Sequence, residues 1–108
     1  MRPFEGLRVL DFTRVVSGPY CTQMLGYLGA EIIKVEDREG GDSTRGGTGD
    51  PALKKQGLAA TYIMFNAGKQ SITLDLKQPA AKEIVARLVK TADVVVENFR
   101  AGVMERLG

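Results

Sequence analysis

The sequence predicts an α/β protein whose strands form one mostly parallel sheet. Apolar runs of strand length alternate with helically spaced segments along all 108 residues, in the order β-α-β-loop-α-β-α-β-α. This alternation is typical of parallel sheets with right-handed crossovers. The runs 30–36 (AEIIKVE) and 93–97 (DVVVE) are apolar on both faces, as strands covered by helices on both sides require. The predicted fold is therefore Rossmann-like, and residues 1–108 show no internal domain boundary.

The first βαβ unit follows from capping signals and apolar spacing. Residues 7–12 (LRVLDF) form a short apolar run of strand length. Ser17 is expected to cap a helix that has Pro19 in its first turn, and Gly29 is expected to end it in the left-handed conformation. Four large side chains recur at helical spacing and are expected to form its buried stripe: Tyr20, Met24, Leu25 and Leu28.

The rest of the chain alternates in the same way after one long interruption. Residues 37–57 contain six Gly and no period, which predicts a long loop of the kind that is usually functional or mobile. Residues 58–66 predict a short helix, and 71–76 (SITLDL) alternate strictly, as in a half-buried strand near a sheet edge. Pro79 opens a helix, and 103–107 begin the last one. The apolar positions of the Pro79 helix are Ile84, Val85, Leu88 and Val89.

Composition excludes several classes of function. A net charge of +2 lacks the strong cationic field of nucleic-acid-binding proteins. The single Cys21 cannot form an intramolecular disulfide, and its apolar neighbours predict a buried thiol in a reducing compartment. No signal-peptide core or membrane-spanning window is present, so we expect a cytoplasmic protein that binds no membrane. The absence of His argues against a zinc site or a His-dependent triad within these residues.

Polar residues of mixed charge follow all four predicted strands, at 13–17, 36–38, 75–77 and 98–100. Ligands of parallel sheets bind at this edge, and the helix N-terminus at Gly18 adds amide donors. A phosphorylated cofactor would use the loop cations, whereas charge balance within a solvated acidic loop explains Arg38 and Arg45 equally well. The cations in or beside predicted loops are Arg14, Arg38, Arg45, Lys69, Lys77, Arg100 and Arg106.

Two other nucleotide-linked classes lack their defining residues. A nicotinamide-binding unit requires G-x-G-x-x-G after the first strand, but this turn reads TRVVSGPYC. A phospho-receiver domain holds Mg²⁺ with acidic residues clustered there, but Asp11 is followed by Phe, Thr and Arg, which cannot build an oxygen cage.

Four segments together resemble the N-terminal part of class III CoA-transferases, the CaiB/BaiF family. They are GLRVLDFTRVVSGPYCTQMLGYLGAEIIKVE, GGDSTRGG, FNAGKQSITLDLK and ADVVVENFRAGVMERLG. They cover nearly the whole chain in the family's order and spacing. Members of the family are considerably longer, which fits a final apolar strand that still needs cover and implies that residues 1–108 are part of a larger domain.

The resemblance implies a CoA-binding role for the strand ends, in a protein built as an interlocked homodimer. Val16 and Ser17 would line the thioester end. The family's cation after the second strand falls at Asp37, with Arg38 one place later, and formyl-CoA transferases carry Gln where this chain has Val16. The adenosine and phosphate portions would contact Leu74, Asp75, Leu76, Lys77, Asn98, Phe99, Arg100 and Arg106.

The resemblance also implies the chemistry. In these transferases an Asp carboxylate attacks an acyl-CoA thioester to give a mixed anhydride, and CoA then passes to a carboxylic acid acceptor. That Asp is expected C-terminal to Gly108, so no catalytic residue and no metal ligand is assigned here. Acyl-CoA is a substrate and no cofactor is permanently bound. The alternatives are an α-methylacyl-CoA racemase and a non-catalytic nucleotide-binding or CoA-binding module.

Overall fold

A computed structural model describes all of residues 1–108. Five α-helices, one short 3-10 helix and four strands alternate along it. In chain order they are β1 (Arg8–Asp11), α1 (Ser17–Tyr27), β2 (Glu31–Glu36), the 3-10 helix (Ser43–Gly46), α2 (Pro51–Lys55), α3 (Ala60–Asn66), β3 (Gln70–Thr73), α4 (Pro79–Val89), β4 (Val94–Val96) and α5 (Val103–Leu107).

The four strands form one all-parallel sheet in the order β3-β2-β1-β4. Asp11 of β1 lies beside Lys34 of β2, and Glu36 lies beside Thr73 of β3. All four carboxyl ends therefore meet at one edge. The predicted Rossmann-like α/β class is confirmed.

One face of the sheet is apolar and is covered by α4. Leu10, Phe12 and Val35 are its buried centre, and Val85 and Leu88 of α4 pack against them. The remaining apolar side chains that contact this cluster are Ile33, Ile72, Leu74, Leu76, Ala92 and Phe99. Because side chains alternate along a strand, the intervening positions point to the opposite face.

That opposite face is buried beneath α1 and α3, yet it carries charge. Asp11 and Lys34 are fully buried and Glu36 is nearly so. Thr22 of α1 and Tyr62 of α3 form hydrogen bonds to these carboxylates. The centre of this face is therefore an ionic network rather than an apolar core.

The first helix differs from its prediction in both cap and orientation. Ser17 is the first helical residue and makes no capping bond, because Val16 occupies the cap position. The buried residues of α1 are Gly18, Pro19, Thr22 and Gln23. In the predicted stripe Tyr20 and Leu28 are exposed, and Met24 and Leu25 are only half-buried. Cys21 is also exposed, contrary to expectation. Small residues let α1 approach the sheet closely: a Cβ on Gly18 would overlap the Thr13 side chain. Gly29 does adopt a positive φ of 114° just after the helix.

Three further predicted elements differ from the structure in extent or in burial. The predicted loop at 37–57 contains the 3-10 helix and α2, each capped by an aspartate side chain, Asp42 and Asp50. The strand predicted at 71–76 is shorter but does lie at an edge. The strand predicted to be covered on both faces, 93–97, is also an edge strand, and its Val95 is 44% exposed.

Candidate functional site

The predicted ligand-binding edge is a continuous cleft, here called the strand-end cleft. It comprises three adjoining depressions of about 220, 550 and 370 Å³. The first two share Asp37, Asp75 and Lys77, and the first and third share Arg14 and Phe99. Nine of the eleven predicted site residues line it: Val16, Ser17, Arg38, Leu74, Asp75, Leu76, Lys77, Asn98 and Phe99.

The other two predicted residues lie outside this cleft. Arg100 is exposed in the turn after β4, and Arg106 is exposed on α5. The Arg106 guanidinium lies against Gly102, where a Cβ would come within 2.9 Å of Nη1. The cations that line the cleft are instead Arg14, Arg38 and Lys77.

Asn98 fixes the part of the cleft that is formed by the turn after β1. Its Oδ1 accepts a hydrogen bond from the Arg14 amide at 2.9 Å, and its Nδ2 donates to the Arg14 carbonyl at 3.0 Å. The Arg14 guanidinium carbon lies 5.3 Å from the centroid of the Phe99 ring. The turn after β4 therefore holds the turn after β1. The side-chain amide of Asn98 is already hydrogen-bonded within the protein.

A buried ion pair holds the same turn from below. Lys34 Nζ lies 3.0 Å from Asp42 Oδ2, with both side chains fully buried, and donates to the Thr13 carbonyl at 2.7 Å. Asp42 Oδ2 also accepts from the Val15 amide at 3.3 Å, while Oδ1 accepts from the Thr44 amide and hydroxyl. Burial acts to raise the pKa of Asp42, but the Thr44 and Lys34 contacts outweigh it and lower that pKa.

Glu36 is the centre of a second cluster at the end of β2. Arg45 donates to both of its oxygens, at 2.7 and 2.5 Å, and Ser71 also donates to it. The Arg45 guanidinium stacks 3.8 Å from the Tyr62 ring centroid. Burial alone would raise the pKa of Glu36, but bonds from Arg45, Ser71 and the Asp42 amide lower it to about 2. The pKa of Tyr62 rises to about 12, through burial and then the nearby Glu36 charge.

Asp11 is a structural acid. Its Oδ1 accepts from the amide and hydroxyl of Thr13, and its Oδ2 accepts from Thr22 and from Lys69 at 3.0 Å. Burial lowers the pKa of Lys69, and the Asp11 charge opposes that shift. Lys69 and Arg45 are thus held by buried carboxylates. The other two acceptors of Lys69 are the Pro19 carbonyl and Asn66 Oδ1.

No role for Asp42, Lys34 or Val15 was predicted from the sequence. A lysine between the apolar residues of β2 was the one available signal, because an unpaired lysine there would carry a high desolvation cost. Nothing in the sequence indicated an unusual backbone at Val15, yet its φ is +70°.

None of the helices has the length and apolar character that a membrane span requires. No group of three or more Asp, Glu or Cys side chains is arranged to hold a metal.

Comparison with known proteins gives a consistent result. The model of CoA-transferase family III matches residues 4–108. A formyl-CoA:oxalate CoA-transferase of Rhodopseudomonas palustris (strain TIE-1) is 50% identical over 108 residues, which are 99% of this chain and 24% of the relative. One from Bradyrhizobium sp. (strain ORS 278) is 48% identical, with the same coverage. The chain therefore spans about a quarter of the length of these relatives.

Solved structures share the fold over the whole chain. The D175A mutant of Rv3272 from Mycobacterium tuberculosis superposes with a TM-score of 0.88 at 48% identity, covering 99% of this chain and 28% of that one. A CaiB/BaiF family protein from Brucella suis gives 0.85 at 39% identity, covering 98% and 28%. Because the family model covers nearly every residue and both relatives and structures agree with it, this chain belongs to CoA-transferase family III.

Proposed function

We propose that residues 1–108 are the CoA-binding N-terminal portion of a longer CoA-transferase, with the CoA moiety in the strand-end cleft. The observation that carries the proposal is that nine residues, drawn from the ends of all four strands, line one cleft. Arg14, Arg38 and Lys77 supply positive charge along it. Guanidinium and ammonium groups of this kind bind phosphate.

The proposed reaction moves CoA from an acyl-CoA to a carboxylic acid. An Asp C-terminal to Gly108 attacks the thioester carbonyl and releases CoA thiolate, leaving an acyl-aspartyl anhydride. Attack of the thiolate at the aspartyl carbonyl releases the donor carboxylate and forms an aspartyl-CoA thioester. The acceptor carboxylate attacks this thioester and releases the thiolate again, which leaves a second aspartyl anhydride. Attack of the thiolate at the acceptor's acyl carbonyl then gives the new acyl-CoA and the free Asp carboxylate. The residues described here bind and orient CoA, and the proposed protein is a cytoplasmic interlocked homodimer.

The acyl end of the proposed site differs from that of formyl-CoA transferases. The relatives' names specify formyl-CoA and oxalate for those proteins. Val16 lines the cleft at the head of α1, where formyl-CoA transferases carry Gln. An apolar side chain cannot make the hydrogen bonds of an amide, so Val16 cannot supply the contacts that Gln offers at this position.

Titration calorimetry of CoA binding to the full-length protein tests the binding site. Lys77→Ala should weaken binding about tenfold or more, because a charged contact to phosphate is lost. Lys54→Ala, in an exposed α2 position outside the cleft, is the matched control and should leave the affinity unchanged. Arg106→Ala should have a smaller effect than Lys77→Ala, since Arg106 lies outside the cleft. Equal CoA affinity in wild type and Lys77→Ala would refute the assigned site.

A second assay separates the reaction classes. The full-length protein is incubated in D₂O with a 2-methylacyl-CoA and a panel of carboxylic acids. We expect acceptor-dependent movement of CoA with no deuterium at the α-carbon, because acyl transfer leaves that carbon untouched. Deuterium incorporation without CoA movement would identify a racemase. Neither activity across a broad acyl-CoA panel would identify a non-catalytic module.

A further inference from the structure

We infer that Asp42 is a positioning residue for the acyl end of the CoA site, because it holds Val15 in a left-handed backbone conformation. The inference rests on the proposed function, which places the acyl end of CoA beside Val16 and Ser17. Asp42 itself lies beneath the turn after β1, with its side chain fully buried, and lines no part of the strand-end cleft.

Val15 has the unusual geometry that requires such support. Its φ of +70° is the sole positive value among the non-glycine residues of the chain. A β-branched side chain is strongly disfavoured in this region. Strained residues of this kind persist only where surrounding contacts over-determine them, and they cluster at functional sites.

Side chains bind the backbone of this turn at consecutive positions. Asp11 accepts from the Thr13 amide and Lys34 donates to its carbonyl. Asn98 accepts from the backbone amide of Arg14 and donates to its carbonyl. The Val15 amide then donates to Asp42 Oδ2 at 3.3 Å.

Asp42 is the member of this set that fixes Val15 itself. Its second oxygen is held by Thr44, and its own amide donates to Glu36 at 2.8 Å, so its position is set independently of Val15. Lys34 neutralises its charge. The next residue, Val16, begins the cap of α1, so the direction of the chain at Val15 determines where Val16 and Ser17 enter the cleft.

A rescue experiment in the full-length enzyme tests the inference. Asp42→Ala should lower kcat for CoA transfer about tenfold or more, since small displacements of positioning groups have effects of this size. The KM for acyl-CoA should change less, because Arg38 and Lys77 remain. Glycine adopts positive φ without steric cost, so adding Val15→Gly to Asp42→Ala should restore most of the lost kcat. Asp50→Ala removes a comparable cap in exposed α2 and should leave kcat within about twofold.

A second route covers the case in which Asp42→Ala does not fold. The pair Lys34→Met and Asp42→Leu removes both buried charges together, a replacement that often preserves folding. It should also lower kcat, and Val15→Gly should again restore it. Wild-type kcat in the paired variant, or no rescue by Val15→Gly in whichever variant folds, would overturn the inference.

Amide exchange at Val15 separates this inference from the proposed function. The Val15 amide should be protected in the wild type and should exchange at least tenfold faster once Asp42 is replaced. The loss of about 1.4 kcal/mol of hydrogen bonding raises the equilibrium constant for local opening tenfold. Unchanged exchange would overturn the inference even if the enzyme transfers CoA. A wild-type protein without CoA transfer would refute the proposed function and with it the role in CoA positioning, whereas the exchange rate would still show whether Asp42 holds the Val15 backbone.

Discussion

The two faces of the sheet are both buried, but different forces hold them. On the α4 face, Leu10, Phe12 and Val35 pack against apolar helix residues. On the α1 and α3 face, Asp11, Lys34 and Glu36 are buried with their charges paired and hydrogen-bonded. The same strands supply both sets, since alternate residues point to opposite faces.

The difference shows what each face contributes. Apolar packing is non-directional and tolerates changes of shape, so the α4 face supplies stability without fixing individual backbone groups. Buried ion pairs have a large desolvation cost and are a poor source of net stability. Their hydrogen bonds are directional, and here they end on the Thr13 and Val15 backbone beside the strand-end cleft. The ionic face therefore determines geometry at the site.

The largest expected effect is the loss of one partner on the ionic face. Lys34→Ala leaves the Asp42 carboxylate buried without its cation, and should lower the free energy of unfolding by about 3–5 kcal/mol. Equilibrium urea unfolding at neutral pH measures this. The loss should shrink at acidic pH, where Asp42 takes up a proton and the unpaired charge disappears. A loss under 1 kcal/mol at neutral pH would contradict the assigned burial of this pair.

A cavity on the apolar face should have a slightly smaller effect of a different kind. Leu10 is 1% exposed at the centre of the α4 face, and Leu10→Ala should lower the free energy of unfolding by about 2–4 kcal/mol. Because no charge is involved, this loss should be the same at neutral and acidic pH. A loss that varied with pH as strongly as that of Lys34→Ala would remove the distinction between the faces.

The sequence predicted the apolar face far better than the ionic one. Alternation in 71–76 and spacing in α4 correctly placed Ile72, Leu74, Val85 and Leu88 against the core, because hydrophobic periodicity is a local signal. Val89, also expected on the apolar side of α4, is exposed. In α1 the same signal was wrong. The close approach of small residues to the sheet buries Gly18 and Thr22, so Tyr20 and Leu28 remain exposed.

The pairing of the buried charged residues could not be predicted from local sequence. Lys34 and Asp42 are eight positions apart, and Ser71 reaches Glu36 across 35 positions. Charged residues in loops are mostly exposed, so the pairings become apparent only in the folded chain. The resemblance indicated nine of the residues that line the cleft. It gave no indication of the left-handed backbone at Val15, whose amide donates to Asp42, 27 positions along the chain.

The smallest expected effect is a change in the acid dependence of stability, which concerns Glu36. Its pKa is about 2 in the folded chain against an ordinary 4.5. A depressed folded pKa means that Glu36 contributes stability above pH 4.5, and that this contribution is lost as the pH falls from there towards 2. Glu36→Gln should therefore flatten the decline in urea-unfolding free energy across this interval. Glu39→Gln, an exposed change in the same segment, is the matched control and should leave the decline as steep as in the wild type. A Glu36→Gln curve parallel to the wild-type curve would show that the Arg45 and Ser71 bonds do not depress the Glu36 pKa, and would leave Asp42 as the acid responsible for the pH response of the ionic face.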